Sequence, residues 1–301
     1  MNLIMVLIAL GVEMRLGDFD RYRNLAWFEH YANWLESRLS GAGFWNGAAG
    51  VLLTLSIPLL LLGVLVYLAG EVHFLLGFVL SLLVLIYSFG PALNSLVSRY
   101  TDALSSNDDS ACREILDQIL YGDAGADGTD PDRVISSIML RAHEYLFAVV
   151  FWFVLLGAVG ALMYCLVLNL AHRYEKTDSG YAGAIRDLHN ILMWPSARLQ
   201  ALGFALGGSL VSALESWRTV SGNTLDISRE VIAVSGFGAL HFAPAGEEDT
   251  EAEEEADTKQ DTGADKEVLI ARIGETLALI NRTLIVWLIV LGLMTIAGWI
   301  S

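Results

Sequence analysis

The 301-residue chain contains little charge and very little cysteine. Charged residues make up 17% of it, against roughly 25% in a typical soluble protein. Its two cysteines, Cys112 and Cys165, are too few for a disulfide framework and do not have the spacing of a metal knuckle. The net charge is −16 and no basic patch is present, which argues against nucleic acid as a partner.

Familiar catalytic signatures are missing as well. The glycine-rich segment Gly41–Gly50 lacks the Gly-Lys-Ser/Thr of a phosphate-binding loop, and no serine lies in a G-x-S-x-G turn. His143 and Glu144 are neighbours without the second histidine of a zinc-binding helix. The sequence therefore predicts no catalytic residue, no metal site and no cofactor.

Long apolar runs dominate instead, with 54% apolar residues and a mean hydropathy of +0.52. Four runs approach the roughly 20 residues that a membrane-spanning helix needs: 44–69, 74–89, 145–170 and 284–300. We therefore predict an all-α polytopic membrane protein. Its bundle has four or five spanning helices, accompanied by interfacial and cytoplasmic amphipathic helices.

A weaker apolar segment, 199–214, either crosses the membrane or forms a re-entrant helix. The hairpin Gly70–His73 contains no lysine or arginine, which places it in the periplasm and the loop 91–144 in the cytoplasm of a bacterial inner-membrane protein. A third crossing then leaves Arg173, Lys176 and Arg186 outside, against the charge rule. A crossing by 199–214 returns the chain to the cytoplasm and gives five spans.

These patterns predict seven segments. Residues Leu25, Phe28, Ala32, Leu35 and Leu39 recur at helical spacing, which indicates an amphipathic interfacial helix. The apolar start lacks a basic region and a cleavage pattern, so we expect it to be retained. The stretch 246–267 has eleven acidic residues and two lysines, a composition typical of disorder. The segments are an N-terminal interfacial region (1–43), the first two spans (44–90), a cytoplasmic helical loop (91–144), the third span (145–170), a loop containing 199–214 (171–245), a disordered acidic linker (246–267) and a long C-terminal helix with the last span (268–301).

Polar and small residues at the membrane boundaries are the candidate ligand-binding residues. They are Arg141, His143 and Glu144 before the third span, Gly157, Gly160 and Tyr164 within it, and Pro195 and Arg198 before the glycine-rich segment. Helix packing is the alternative explanation for the glycines. Snorkelling to lipid headgroups is the alternative for Arg198.

Three stretches carry a resemblance to known membrane proteins: Phe151–Tyr164, Met193–Leu199 and Arg229–Gly238. They resemble the AmpE family, whose members are linked to β-lactamase regulation, and the wider CobD/CbiB family of cobalamin biosynthesis. The first two stretches are similar to that family's G-P-x-G-A-x-x-Y-R and P-A-R-L motifs.

The chain departs from the family at two places. Tyr164-Cys165 stands where the motif has Tyr-Arg, and Asn169-Leu170-Ala171-His172 stands where the cobalamin branch has Asn-Thr-Leu-Asp. A synthase that joins an amine to a carboxylate needs carboxylates to hold magnesium and nucleotide phosphates. The missing aspartates favour a protein that is not an enzyme.

The resemblance implies a non-catalytic inner-membrane sensor tied to peptidoglycan stress, β-lactamase induction and the antibiotic response. Two alternatives stay open: a lipid- or small-molecule-binding or transport protein, and a cobalamin-type amide synthase. The expected partners are membrane lipid and either another membrane protein or a second copy of the chain.

Overall fold

The computed structural model describes residues 2–16, 23–41, 43–120, 130–219, 227–241 and 262–298, and these contain helices and no β-strand. This confirms the predicted fold class. The helices are α1 (Asn2–Leu16), α2 (Ala26–Leu39), α3 (Ala48–Val72), α4 (Phe74–Ser88), α5 (Leu93–Ser105), α6 (Asp109–Ile119), α7 (Pro131–Ala142), a π-helix (His143–Phe147), α8 (Ala148–Arg173), α9 (Gly180–Gly207), α10 (Leu210–Thr219), α11 (Ser228–Leu240) and α12 (Thr262–Ile296).

Four helical stretches are long and apolar enough to cross a membrane: Ala48–Val72, Phe74–Ser105, Pro131–Arg173 and Lys266–Ile296. The chain is thus a multi-pass membrane protein by helix length and composition. The segment 199–214 is not one of these stretches. It is divided between α9, which ends at Gly207, and α10, which begins at Leu210, because Gly208 and Ser209 interrupt the helix.

The first of two compact units comprises Met1–Ala92, Glu144–Ser196 and Leu288–Ser301. Its helices α3 and α4 form an antiparallel pair joined at His73, whose ring nitrogen accepts a hydrogen bond from the Leu75 amide (3.1 Å). Helix α2 has the predicted amphipathic pattern, with Phe28, Ala32 and Leu35 buried. Trp27 and Trp34 on its other side are exposed.

Helix α8 is not one straight rod. Gly157 has φ 68° and ψ −154°, a conformation outside the helical region, and it divides α8 into two helical limbs. Such a combination of angles is essentially restricted to glycine, since a Cβ would collide with the backbone. The second limb runs on to Arg173, and the connection 174–179 leads into α9.

The second unit comprises Leu93–His143 and Ala197–Trp287. Helix α7 has an N-terminal cap, because Asp130 accepts a hydrogen bond from the Asp132 amide (3.0 Å) and Pro131 follows the cap. Helix α6 buries Cys112, Ile115, Leu116 and Ile119 along one face. An ion pair of 2.9 Å between Arg272 and Asp132 links α12 to α7.

The predicted acidic linker 246–267 lies outside the described residues as far as residue 261. Its last residues belong to α12, which begins at Thr262 rather than at residue 268. Lys266 in this early part donates a hydrogen bond to Asn107 Oδ1 (2.8 Å). The longer helix thus makes a contact with a residue far away in the chain. Composition alone does not reveal such a contact.

Candidate functional site

The first unit contains a partly polar cavity of about 210 Å³ at the end of α4. Residues from four parts of the chain form its wall, and half of them are able to form side-chain hydrogen bonds. The lining residues are Arg23, Leu25, Tyr87, Ser88, Phe89, Gly90, Pro91, Tyr145, Cys165, Leu168, Asn169 and His172.

A carboxylate and an imidazole meet beside this cavity. Glu144 Oε2 lies 3.6 Å from His172 Nε2, and the two side chains are 1% and 14% exposed. Glu144 is part of the π-helix that precedes α8, and single-turn π-helices are frequent at functional sites. A buried carboxylate beside a histidine orients the ring, and carboxylate–imidazole pairs of this kind serve in general acid–base chemistry.

Arg23 holds the opposite wall in place. Its guanidinium pairs with the Glu13 carboxylate and donates hydrogen bonds to the carbonyl of Gly90 and, at 3.2 Å, to that of Ile86. These two carbonyls belong to the C-terminal end of α4, where helical carbonyls have no partner within the helix. Since Glu13 balances its charge, Arg23 fixes the shape of the cavity more than its electrostatic potential.

Asn169 offers an acceptor that the protein leaves open. Its side-chain oxygen is buried and has no hydrogen-bond donor among the described residues. A buried acceptor without a partner costs about 1–3 kcal/mol, which a ligand donating a hydrogen bond would recover. The acceptor belongs to a residue that lines the cavity.

Gly90 brings the end of α4 against the first residues of the π-helix. A Cβ at this position would overlap the Tyr145 ring, and the Gly90 amide lies 3.4 Å from the Tyr145 carbonyl oxygen. Only glycine permits so close an approach. The two walls of the cavity depend on this contact.

The other predicted site residues of the first unit lie along α8 and α9. Tyr164 is fully buried, with its ring centroid 6.2 Å from that of His189. Gly160 packs against the Trp152 carbonyl, so its role in packing is evident, and Pro195 lies inside α9. None of these three lines the cavity.

The remaining predicted site residues belong to the second unit. Arg141 is buried and donates a hydrogen bond to the Ile119 carbonyl (3.1 Å). His143 is also buried, with Nδ1 2.6 Å from Gln200 Oε1. Arg198 reaches Ser228 Oγ at 3.5 Å.

Sequence reasoning did not single out Arg23, Asn169 or His172 as site residues. His172 was visible in the sequence only as a departure from the family motif, and the same is true of Cys165. Both departures line the cavity. Among the described residues, no three His, Cys, Asp or Glu side chains lie close enough together to hold a metal ion.

A tyrosine-rich contact fixes the connection after α8. Tyr174 donates a hydrogen bond to Glu36 Oε2 (2.8 Å), and Tyr181 lies 3.0 Å from Thr54 Oγ1. Burial, followed by the hydrogen bond and the charge of Glu36, raises the pKa of Tyr174. Burial also raises the pKa of Tyr181. Both phenols therefore stay neutral and act as hydrogen-bonding groups.

Two curated proteins are similar to part of the chain. A cobalamin biosynthesis protein CobD of Chromobacterium violaceum is 31% identical over 117 residues, which are 37% of this chain and 37% of that protein. A second one, from Stutzerimonas stutzeri, is 30% identical over 115 residues, 36% of this chain and 37% of that protein. The chain thus matches little more than a third of the length of each relative. No solved structure matches.

The family model described as CobD/Cbib protein matches residues 6–229, which is most of the chain. With the two biosynthetic relatives, this match overturns the expectation that the chain is not an enzyme. The error came from treating the missing aspartates, which were expected to hold magnesium and nucleotide phosphates, as the loss of enzymatic activity. The closer resemblance to AmpE, and with it the link to β-lactamase and peptidoglycan, finds no support in these matches. The chain belongs to the CobD/CbiB family.

Proposed function

We propose that this protein acts in cobalamin biosynthesis as an amide synthase, joining an amine to a corrinoid carboxylate. The observation that carries the proposal is the family match over residues 6–229. The names of the two relatives, both cobalamin biosynthesis proteins, support it.

The cavity supplies chemistry that such a reaction needs. The carboxylate must first be activated, as an acyl phosphate formed from a nucleoside triphosphate, so that phosphate leaves when the C–N bond forms. The amine is protonated near neutral pH, and its nitrogen attacks the carbonyl carbon of the activated group only after it has lost a proton. We assign His172 as the acceptor of that proton, with Glu144 orienting its ring and stabilising the charge that it gains. Asn169 Oδ1 is placed to accept a hydrogen bond from the same ammonium group.

The absence of the motif's aspartates does not leave this region without acid–base groups. The position after Ala171 is a histidine, and the turn within α8 brings it to a buried carboxylate. An acid–base pair is therefore available, although it is not formed by the residues of the family motif.

A complementation experiment tests the proposal. The host strain lacks its own CobD/CbiB protein and grows without added cobinamide only when this step is restored. We expect the chain to restore growth, and the His172→Ala and Glu144→Gln variants to fail at equal membrane abundance. His30→Ala, at an exposed histidine of α2, is the matched control and should grow. Added cobinamide should rescue every strain.

Failure of the unaltered chain to restore growth, while it is present in the membrane, would contradict the proposed activity. Full growth of both site variants would instead contradict the assignment of His172 and Glu144. The two outcomes separate the function from the site.

The proposal includes a location in the bacterial inner membrane, with the hairpin Gly70–His73 in the periplasm and the loop 91–144 in the cytoplasm. Its basis is the absence of lysine and arginine from the hairpin. A periplasm-active reporter inserted at Glu71 should be active. Activity only of a cytoplasmic reporter at the same position would reverse the orientation.

A further inference from the structure

We infer that residues 144–173 do not cross the membrane but form a re-entrant helical hairpin, whose two ends lie at the same membrane face. The inference concerns this segment's path and does not depend on the proposed activity. Length and composition alone would make Pro131–Arg173 a span. The contacts of the segment lead to a different path.

The first argument is a distance. Glu144 and His172 are twenty-eight positions apart, and a continuous α-helix would separate them by about 42 Å. Their side chains instead meet at 3.6 Å. The chain must therefore reverse direction between them.

The reversal occurs at Gly157, where the backbone leaves the helical region. Close to this turn, Gly160 packs against the Trp152 carbonyl, although eight helical positions would separate the two by about 12 Å. The pairing of 152 with 160 and of 144 with 172 is centred on the turn. This is the pattern of two antiparallel limbs.

Neither limb is long enough to cross. The limb from Glu144 to Leu156 is about 20 Å long and the limb from Ala158 to Arg173 about 24 Å, against a hydrocarbon core of about 30 Å. Val159, beside the turn, packs near Gly63, which lies about 22 Å along α3 from its start at Ala48. The tip of the hairpin therefore reaches the inner part of the membrane and stops there.

The surroundings of the tip suit a membrane interior. Leu155 and Leu156 are 60% and 51% exposed, so apolar side chains surround the break. Asn2 Nδ2 lies 3.5 Å from the Val154 carbonyl oxygen, one of the acceptors that the turn leaves without a helical partner. In lipid such backbone groups need a partner within the protein.

Both ends of the hairpin adjoin the same end of the α3–α4 pair. At the entrance, Tyr145 packs against Gly90, which follows α4. At the exit, Gly180 packs against Asn46, and the Tyr181 ring stacks on Trp45 with centroids 5.2 Å apart. Asn46 and Trp45 precede α3, and the start of α3 and the end of α4 share one side of the membrane.

The hairpin removes a conflict in the charge pattern. A crossing would place Arg173, Lys176 and Arg186 on the side opposite to the arginine-containing loop 91–144. The re-entrant path returns all three to the face where α3 begins, as the charge rule requires. It also places the Glu144–His172 pair and its cavity at that face, so a ligand enters from there.

Cysteine labelling tests the path. In a variant with Cys112 and Cys165 replaced by alanine, single cysteines are introduced by Thr177→Cys after the hairpin, Ser40→Cys before α3 and Glu71→Cys between α3 and α4. All three positions are exposed. A membrane-impermeant maleimide is applied to spheroplasts and to inverted vesicles. We expect Thr177→Cys to react in the same preparation as Ser40→Cys, and Glu71→Cys in the other. Reaction of Thr177→Cys together with Glu71→Cys would overturn the inference.

A cross-link tests the reversal independently of the membrane side. A short bifunctional maleimide should join the cysteines of a Glu144→Cys/His172→Cys variant in which Cys112 and Cys165 are again replaced by alanine, detected as a linked peptide by mass spectrometry. The matched Glu144→Cys/Glu71→Cys variant should give no link. If a monofunctional maleimide labels both cysteines of the first variant and the bifunctional reagent still gives no link, the hairpin is wrong.

Discussion

Arg23 and Glu13 form an ion pair within the first unit, with side chains 7% and 19% exposed. The same guanidinium binds the carbonyls of Ile86 and Gly90, so a single side chain joins α1 to the end of α4. The pair is therefore more than an exposed surface contact, and its removal should affect the whole unit.

Arg23→Ala should lower the free energy of unfolding by about 3–5 kcal/mol, because it leaves the Glu13 carboxylate without its main partner in a partly buried place. Arg23→Lys should recover only part of the loss, since an ammonium cannot reproduce the planar set of donors. Thermal unfolding of purified protein in detergent measures both. Arg133→Ala, which breaks an ion pair 49% and 46% exposed, is the control and should cost less than about 1 kcal/mol. Equal effects of Arg23→Ala and Arg133→Ala would contradict the structural role of Arg23.

Gly157→Ala should destabilise the protein by about 1–3 kcal/mol, because alanine is strained at the observed φ and ψ. Crowding by other parts of the protein is not the cause, since no atom outside the adjoining backbone lies within 4 Å of the position that a Cβ would take. The matched control is Gly183→Ala in α9, which also has open space but a helical backbone. That change should be neutral or stabilising by up to about 1 kcal/mol. A Gly157→Ala protein as stable as the control would argue that the turn is not required.

If the Arg198 guanidinium binds an anion through bidentate hydrogen bonds, Arg198→Lys should impair complementation while the protein still inserts into the membrane. The prediction is based on the position of Arg198, which lies within α9, near Ser228 and next to the apolar segment that follows. Growth of the deletion strain and membrane abundance are the two readouts. Arg186→Ala, at an exposed position of the same helix, should behave like the unaltered chain. A fully active and normally stable Arg198→Ala protein would refute this role.

Deletion of residues 246–261 should leave insertion and the melting temperature nearly unchanged, since this acidic composition contributes almost no buried apolar area. Extending the deletion to residue 267 should lower the melting temperature further, because it removes Lys266 and its hydrogen bond to Asn107. Membrane abundance and thermal unfolding of the two deletions give the comparison. Loss of the thermal transition in the shorter deletion would show that the acidic segment is structural.

Alkaline pH should weaken the contact between Tyr174 and Glu36. The pKa of Tyr174 is raised in the folded protein, so its contribution is fully present below the ordinary tyrosine pKa of about 10 and is lost as the pH rises above it. Tyr174→Phe removes the hydrogen bond, at a cost of roughly 1 kcal/mol, and cannot ionise. The stability difference between the unaltered protein and Tyr174→Phe should therefore shrink from about pH 8 to about pH 11. A constant difference would mean that Tyr174 has the same pKa in both states.

The sequence by itself determined the features that depend on local pattern. Apolar runs indicated membrane helices, the spacing of Phe28, Ala32 and Leu35 predicted the buried face of α2, and Asp130-Pro131 marked the start of α7. Each of these signals acts within a few turns of helix, so periodicity and capping residues report it directly.

Only the tertiary structure decided the path of α8 and the composition of the cavity. A glycine inside an apolar run is equally compatible with a continuous packed helix and with a reversal, and composition cannot distinguish the two. The contact between Glu144 and His172 distinguishes them, and the hydrogen bond from Arg23 to the end of α4 shapes the wall of the cavity. These contacts join residues far apart in the chain, whereas sequence patterns describe the local environment of each residue.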